Sequence, residues 1–218
     1  MKIARFAHGG SVSFGIVEGL DDLDEPTTET VLSELEGHPF ASADLAAELT
    51  GRVFPLSEVR LLAPVLPSKI VAVGRNYAAH IEEMGTSMPE EPMIFLKPST
   101  SVVGPGDAIV LPTESEQVDH EAELAIVIGR LCKDVPIDRV AEVILGYTCA
   151  NDVSARDFQR QDGQWGRAKG FDTFCPLGPW IATDIDPSDL RITCAVGDEL
   201  QQDSTTALLL RDDRTLVA

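Results

Sequence analysis

Short apolar stretches set off by glycine and proline recur along this chain, and they constrain its fold more than any other feature. Lys2-Ile-Ala-Arg-Phe-Ala7 and Val12-Ser-Phe-Gly-Ile-Val17 flank Gly9-Gly10 and read as a hairpin. Lys69-Ile-Val-Ala-Val-Gly74, Met93-Ile-Phe-Leu96, Ala108-Ile-Val-Leu111, Leu124-Ala-Ile-Val-Ile-Gly129 and Gly146-Tyr-Thr-Cys-Ala150 read as further strands. A loop is expected from Pro89 to Pro92 and a turn at Gly104-Pro-Gly-Asp107. Helical spacing is confined to Ala41 to Leu49, with Ser42 as N-cap and Gly51 as stop, and to Val135 to Ile144. The expected fold is mainly β with short helices, a barrel or a rolled sheet. The Pro-punctuated stretch Leu61 to Pro67 separates a small N-terminal domain, residues 1–64, from a body over residues 65–218.

With 44% hydrophobic residues, 218 residues suffice for one substantial core and a small module beside it. No apolar run reaches membrane-spanning length, and Met1-Lys-Ile-Ala-Arg-Phe6 lacks the apolar stretch of a signal peptide, so the reading is soluble and cytoplasmic. Cysteines at 132, 149, 175 and 194 form no C-x-x-C pair and read as reduced core residues. The 36 acids against 17 bases, net −19, repel nucleic acid and anionic membrane, and neither is expected as a partner. A small anionic substrate would need local positive charge to enter such a field. The glycines make neither a P-loop nor a dinucleotide fingerprint, and no G-x-S-x-G elbow is present.

Chemistry concentrates at Glu121-Ala122-Glu123. Side chains alternate along a strand, so the two carboxylates share a face at the head of an otherwise apolar run. Uncompensated, such a pair costs several kcal/mol through repulsion and lost hydration. Either that face is wet or a cation sits on it. Asp152, in Ala150-Asn-Asp-Val153, can complete an all-oxygen site of the kind Mg²⁺ or Mn²⁺ prefers. Asp119 falls on the same face as a ligand, a hydrogen-bond partner or plain surface, whereas His120 falls on the other, which disfavours zinc.

Five segments line up in order: Val73-Gly-Arg-Asn-Tyr-Ala-Ala-His80 with Glu83, Ile94-Phe-Leu-Lys-Pro-Ser99, His120-Glu-Ala-Glu123, Asn151-Asp-Val-Ser-Ala-Arg-Asp157 and Lys169-Gly-Phe-Asp-Thr-Phe174. Together they resemble the fumarylacetoacetate hydrolase family, in its subgroup of acylpyruvate hydrolases, oxaloacetate decarboxylases and 2-hydroxyhepta-2,4-diene-1,7-dioate isomerases. The resemblance covers about residues 66 to 205. It implies a mixed β-roll around a distorted barrel, a small N-terminal domain and a homodimer. It also implies Glu121, Glu123 and Asp152 as Mg²⁺ or Mn²⁺ ligands, with His80 and Glu83 as a pair that activates a water. Residues three apart on a helical turn share a face, so Glu83 can orient His80 and raise its basicity. Lys169 is expected to steady charge on the substrate, and Gln159 and Arg75 to contact it. For Arg156 an internal salt bridge competes with substrate contact.

The implied substrate is a small anionic 2-oxo acid, chelated through its carboxylate and 2-oxo oxygens, with the ion stabilising a developing enolate. The expected reaction is carbon–carbon cleavage through a metal-bound pyruvate enolate, by hydrolysis or decarboxylation; isomerisation of a conjugated diene, as in aromatic catabolism, fits the same site and is the alternative. The family's later P-G-D-x-I-x-T-G-T-P-x-G-V-G stretch does not follow Leu216-Val-Ala218, so the catalytic part is expected to be incomplete at its C-terminus, with weak metal binding and poor turnover. That keeps open an inactive metal-binding remnant. A purely structural acidic β domain requires all five segments to be coincidental.

Overall fold

The computed structural model describes residues 1–41, 48–78 and 89–218. β1 (Lys2–His8) and β2 (Ser11–Leu20) form the expected hairpin, with Phe6 opposite Ser13 and Ala7 opposite Val12. Gly9 and Gly10 carry φ of 56° and 84°, the left-handed backbone a two-residue hairpin turn requires. β3 (Pro26–Leu35) and β4 (Leu49–Pro55) extend this meander, although no strand was expected in either place. The reason lies in β3, whose buried positions include Thr30, Ser33 and Glu34 as well as Leu32 and Leu35. Glu34 is satisfied by Ser13, Thr50 and Arg52, so a polar core replaces the apolar alternation that marks a strand. Of the expected helix over Ala41 to Leu49, residues 42–47, Ser42 among them, lie outside the described residues. Leu49 opens β4, and Gly51, at φ 82°, lies within that strand and is no helix stop.

β5 (Arg60–Leu62) pairs with β1, so the proline-rich connector begins as strand. β6 (Ile70–Gly74) and β7 (Met93–Lys97) form an antiparallel ribbon with Ala72 opposite Phe95. After β8 (Val102–Val103) the expected turn closes through the Asp107 N–H on the Gly104 carbonyl at 3.2 Å. Ala108 to Leu111 is not a strand. It has no partner strand among the described residues, and the Val110 N–H bonds the Thr173 hydroxyl instead. β9 (Val118–Asp119), β10 (Ala122–Ile128), β11 (Ile144–Asn151) and β12 (Ser154–Ala155) carry the acidic segments. The helical spacing before β11 yields only a 3₁₀ helix, Ile137–Glu142, after Pro136. Then come α1 (Arg156–Asp162), α2 (Gly166–Lys169), β13 (Cys175–Ala182), the hairpin of β14 (Arg191–Val196) and β15 (Glu199–Thr205), and α3 (Asp213–Val217).

The architecture is mainly β with short helices. The principal sheet runs β10-β11-β13-β1-β2-β3-β4, with β5 on β1 and β8 on β13, and among the described residues it does not close into a barrel. Lys2 and Ile3 pair with Ala182 and Ile181, so the N-terminal strands and the body share one sheet. Ile3, Phe14, Leu35, Val127, Leu145 and Ile181 pack as one core. Val153, Ala155, Phe158, Ala168 and Phe174 form a second core, which seats α1 and α2. All four cysteines are free, but of these only Cys175 is buried. Cys132 and Cys149 are exposed, which corrects the expectation of core residues. No described helix is long and apolar enough to cross a membrane.

Candidate metal centre

The antiparallel register of β10 and β11 places Ala122 opposite Asn151 and Glu123 opposite Ala150. One step further, the Asp152 N–H bonds the Glu121 carbonyl at 2.8 Å, so Asp152 stands across from Glu121. Cross-strand neighbours share a face. Glu121, Glu123 and Asp152 accordingly converge, each offering a carboxylate oxygen within 4.8 Å of the others. The Asn151 side chain accepts from the Glu121 N–H at 2.9 Å and fixes the backbone just ahead of β10.

Two lysines, each only 2% exposed, enter the cluster from other elements. Lys97, at the end of β7, donates to Asp152 Oδ1 at 2.5 Å. Lys169, at the end of α2, bridges Asp152 Oδ2 at 2.6 Å and Glu121 Oε2 at 2.5 Å. Arg156 holds Glu121 Oε1 at 2.6 Å and Asp119 Oδ2 at 2.9 Å, so its role is the internal salt bridge. Glu123 has no bonded cation among the described residues. Burial, then Asp152 and Glu121, push its carboxyl up to about 8. Against the same pull of burial, Lys169 and Arg156 hold Glu121 below the usual carboxylate range.

This donor set fits a hard divalent ion. It is all oxygen, and Glu123, paired with no cation among the described residues, is a carboxyl whose proton an ion would displace. The nearby Cys175 offers no soft alternative, since burial pushes its thiol up to about 11 and keeps it protonated.

Of the other expected site residues, Gln159 lies one step behind the carboxylates, its Oε1 accepting from Arg156 Nη1 at 2.9 Å. Arg75, at φ 55° just beyond β6, makes no hydrogen bond or ion pair with any described residue. His80 and Glu83 lie outside the described residues. Lys97 was given no role from sequence. A lysine closing a strand before proline reads as a solvated end, and the signal available was its place on the same strand face as Phe95. Tyr77 was missed too. Burial, and after it Glu123, push its phenol up to about 12, which places it within electrostatic reach of the cluster.

Residues 69–218 match the family model described as Fumarylacetoacetate (FAA) hydrolase C-terminal, and residues 1–64 match one described as Rv2993c-like, N-terminal. The chain belongs to the fumarylacetoacetate hydrolase family. Members of this family are enzymes, among them hydrolases and isomerases. The chain is 42% identical over 213 residues to the mitochondrial oxaloacetate tautomerase Fahd2a of Rattus norvegicus, covering 94% of this chain and 67% of that one. Its fold matches the crystal structure of 5-carboxymethyl-2-hydroxymuconate delta-isomerase from Mycobacterium smegmatis with a TM-score of 0.89 and 53% identity, over 100% of this chain and 80% of that one. Maleylpyruvate hydrolase from Sphingobium sp. SYK-6, solved with manganese (II) ion and pyruvate, matches with a TM-score of 0.74 and 30% identity, over 100% and 81% of the two chains.

Proposed function

We propose that this member of the fumarylacetoacetate hydrolase family is a divalent-metal-dependent enzyme that shifts a proton in small 2-oxo acids, interconverting keto and enol or double-bond isomers. The observation that carries this reading is the convergence of Glu121, Glu123 and Asp152 beside two buried ammonium groups. Mg²⁺ or Mn²⁺ held by those carboxylates would supply Lewis acidity toward the oxygens of a 2-oxo acid. Lys169 adds positive charge where negative charge grows on the substrate as a proton leaves carbon. Lys97 holds Asp152 in place, Arg156 helps keep Glu121 ionised and fixed, and Gln159 steadies Arg156. On the sequence reading, His80 with Glu83 is the base that takes the proton and returns it at the other end of the enol system. Arg75 contributes a second cation for the distal carboxylate of the substrate. In a chain of net charge −19, these cations are what admits an anion at all.

Proton transfer ranks first because the relatives at 42% and 53% identity are a tautomerase and an isomerase. Carbon–carbon cleavage is the second reading, favoured by the hydrolase neighbour solved with pyruvate. One set of assays separates them: enol–keto conversion of oxaloacetate followed by ultraviolet absorbance, and pyruvate release from oxaloacetate and acetylpyruvate. Each is run with Mg²⁺, with Mn²⁺ and with EDTA, for wild type and Glu123→Ala. Metal-dependent tautomerisation without pyruvate, abolished in the variant, supports proton transfer. Pyruvate release moves the assignment to cleavage, and silence in every assay supports the inactive remnant.

A further inference from the structure

Among the described residues β10 is the terminal strand of the principal sheet, with β11 as its one neighbour. On its free side, the backbone between the two glutamates would leave an N–H and a C=O without a strand partner. Gln202, on β15, supplies both missing bonds. Its Oε1 accepts from the Ala122 N–H at 2.9 Å, and its Nε2 donates to the Ala122 carbonyl at 2.7 Å. A carboxamide presents one acceptor and one donor with the spacing of a peptide group, so a single side chain acts here as one residue of a neighbouring strand.

The surroundings make this contact a clamp. The Glu121 N–H is taken by the Asn151 side chain and the Glu121 carbonyl by the Asp152 N–H. With Gln202 on Ala122, four successive backbone groups at the head of β10 are held, three of them by side chains. Without Gln202, the two peptide units beside Ala122, which aim Glu121 and Glu123 in the same direction, keep only their pairing with the β11 side.

We infer that Gln202 is a positioning residue, one that sets the mutual orientation of Glu121 and Glu123 by completing the strand edge between them. The inference rests on the metal reading of the previous subsection. It makes the β14–β15 hairpin, which donates no ligand, part of the machinery of the site. Residues that orient metal ligands from behind typically change metal affinity by about 10- to 100-fold when removed.

The experiment compares wild type, Gln202→Leu, Gln202→Glu and the control Gln201→Leu. Gln201 is exposed on the same strand, and its side chain bonds Glu199. Mg²⁺ and Mn²⁺ affinities are measured by calorimetry, unfolding midpoints in EDTA, and hydrogen exchange at the Ala122 amide. The expected result is at least about tenfold weaker metal binding in Gln202→Leu, faster exchange at Ala122 and a midpoint close to wild type, with Gln201→Leu unchanged. Gln202→Glu keeps an acceptor for the Ala122 N–H, so it should retain protection of that amide while losing metal affinity. Affinity within twofold of wild type in Gln202→Leu overturns the inference, as does a loss that merely tracks global unfolding. If wild type binds neither ion, the metal reading falls. Exchange then judges the clamp alone: release of Ala122 in Gln202→Leu upholds it, and equal exchange in both removes it.

Discussion

Replacing Lys97 with methionine keeps the aliphatic stem and deletes one buried ammonium. Lys97 is 2% exposed, with its Nζ 2.5 Å from Asp152 Oδ1. Removing one member of a buried ion pair costs about 3–5 kcal/mol, because the other charge is left uncompensated. Asp152 keeps Lys169 on its second oxygen at 2.6 Å, so the low end, about 3 kcal/mol, is expected. For a chain of this size that corresponds to a drop in Tm of about 6–12 °C. Two comparisons make the number diagnostic. In an Asp152→Asn background the same substitution should cost less, with a coupling of about 1–3 kcal/mol between the two positions. Saturating Mg²⁺ should also recover part of the loss, about 2.7 kcal/mol at a hundredfold excess over Kd. Urea unfolding followed by circular dichroism, first in EDTA and then in Mg²⁺, reads all of these. A loss below about 1 kcal/mol in EDTA, or strictly additive costs in the double variant, refutes the view that Lys97 is the counter-ion of Asp152.

Glu123 predicts a pH dependence with a definite sign. Its folded-state value of about 8 lies above its ordinary 4.5, so the folded chain binds the proton more tightly. The contribution of Glu123 to stability in chelator is therefore fully present below about pH 4.5 and lost as pH rises to about 8, by at most ~1.4 kcal/mol per unit, and Glu123→Gln should remove that slope. A divalent ion must displace the same proton, so its affinity by calorimetry should climb toward pH ~8 by up to about tenfold per unit, and a flat profile counts against the assignment. A β-carbon at Gly74 would stand 2.3 Å from the Trp165 ring, and Gly74→Ala should cost about 1–3 kcal/mol in chemical unfolding. Trp165→Ala in the same chain should recover most of that cost, and an undiminished penalty would place the strain elsewhere.

The hairpin of β1 and β2, the ribbon strands β6 and β7, and β11 were legible in the sequence because apolar runs there end in turn residues. β3 was not, because Thr30, Ser33 and Glu34 are buried and hydrogen-bonded to Gly19, Glu18, Ser13 and Thr50 of the neighbouring strands, so burial left no apolar trace. Ala108 to Leu111 misled in the opposite direction, since an apolar run becomes a strand only where another strand meets it. Glu121 and Glu123 could be placed on one face by alternation alone. That Asp152 joins them depends on the β10–β11 register, which local residues do not encode. Of the positive half of the site, Lys169 and the ion-paired Arg156 were named from the sequence, whereas Lys97 arrives from a strand 55 residues away from its partner.

The seam at β1 bears on how the polypeptide is made. Arg5 to Ala7 receive β5 as a neighbour early in synthesis, but Lys2 and Ile3 wait for Ile181 and Ala182, nearly the whole chain later. Until a ribosome has delivered β13, the opening residues of the nascent meander offer that edge's hydrogen-bonding groups only to water, while Ile3 can pack on Phe14 and Leu35 but not yet on Val127, Leu145 and Ile181. Contacts this distant along the chain form slowly. The first strand translated is thus among the last completed, and the growing chain carries an open edge through most of its synthesis.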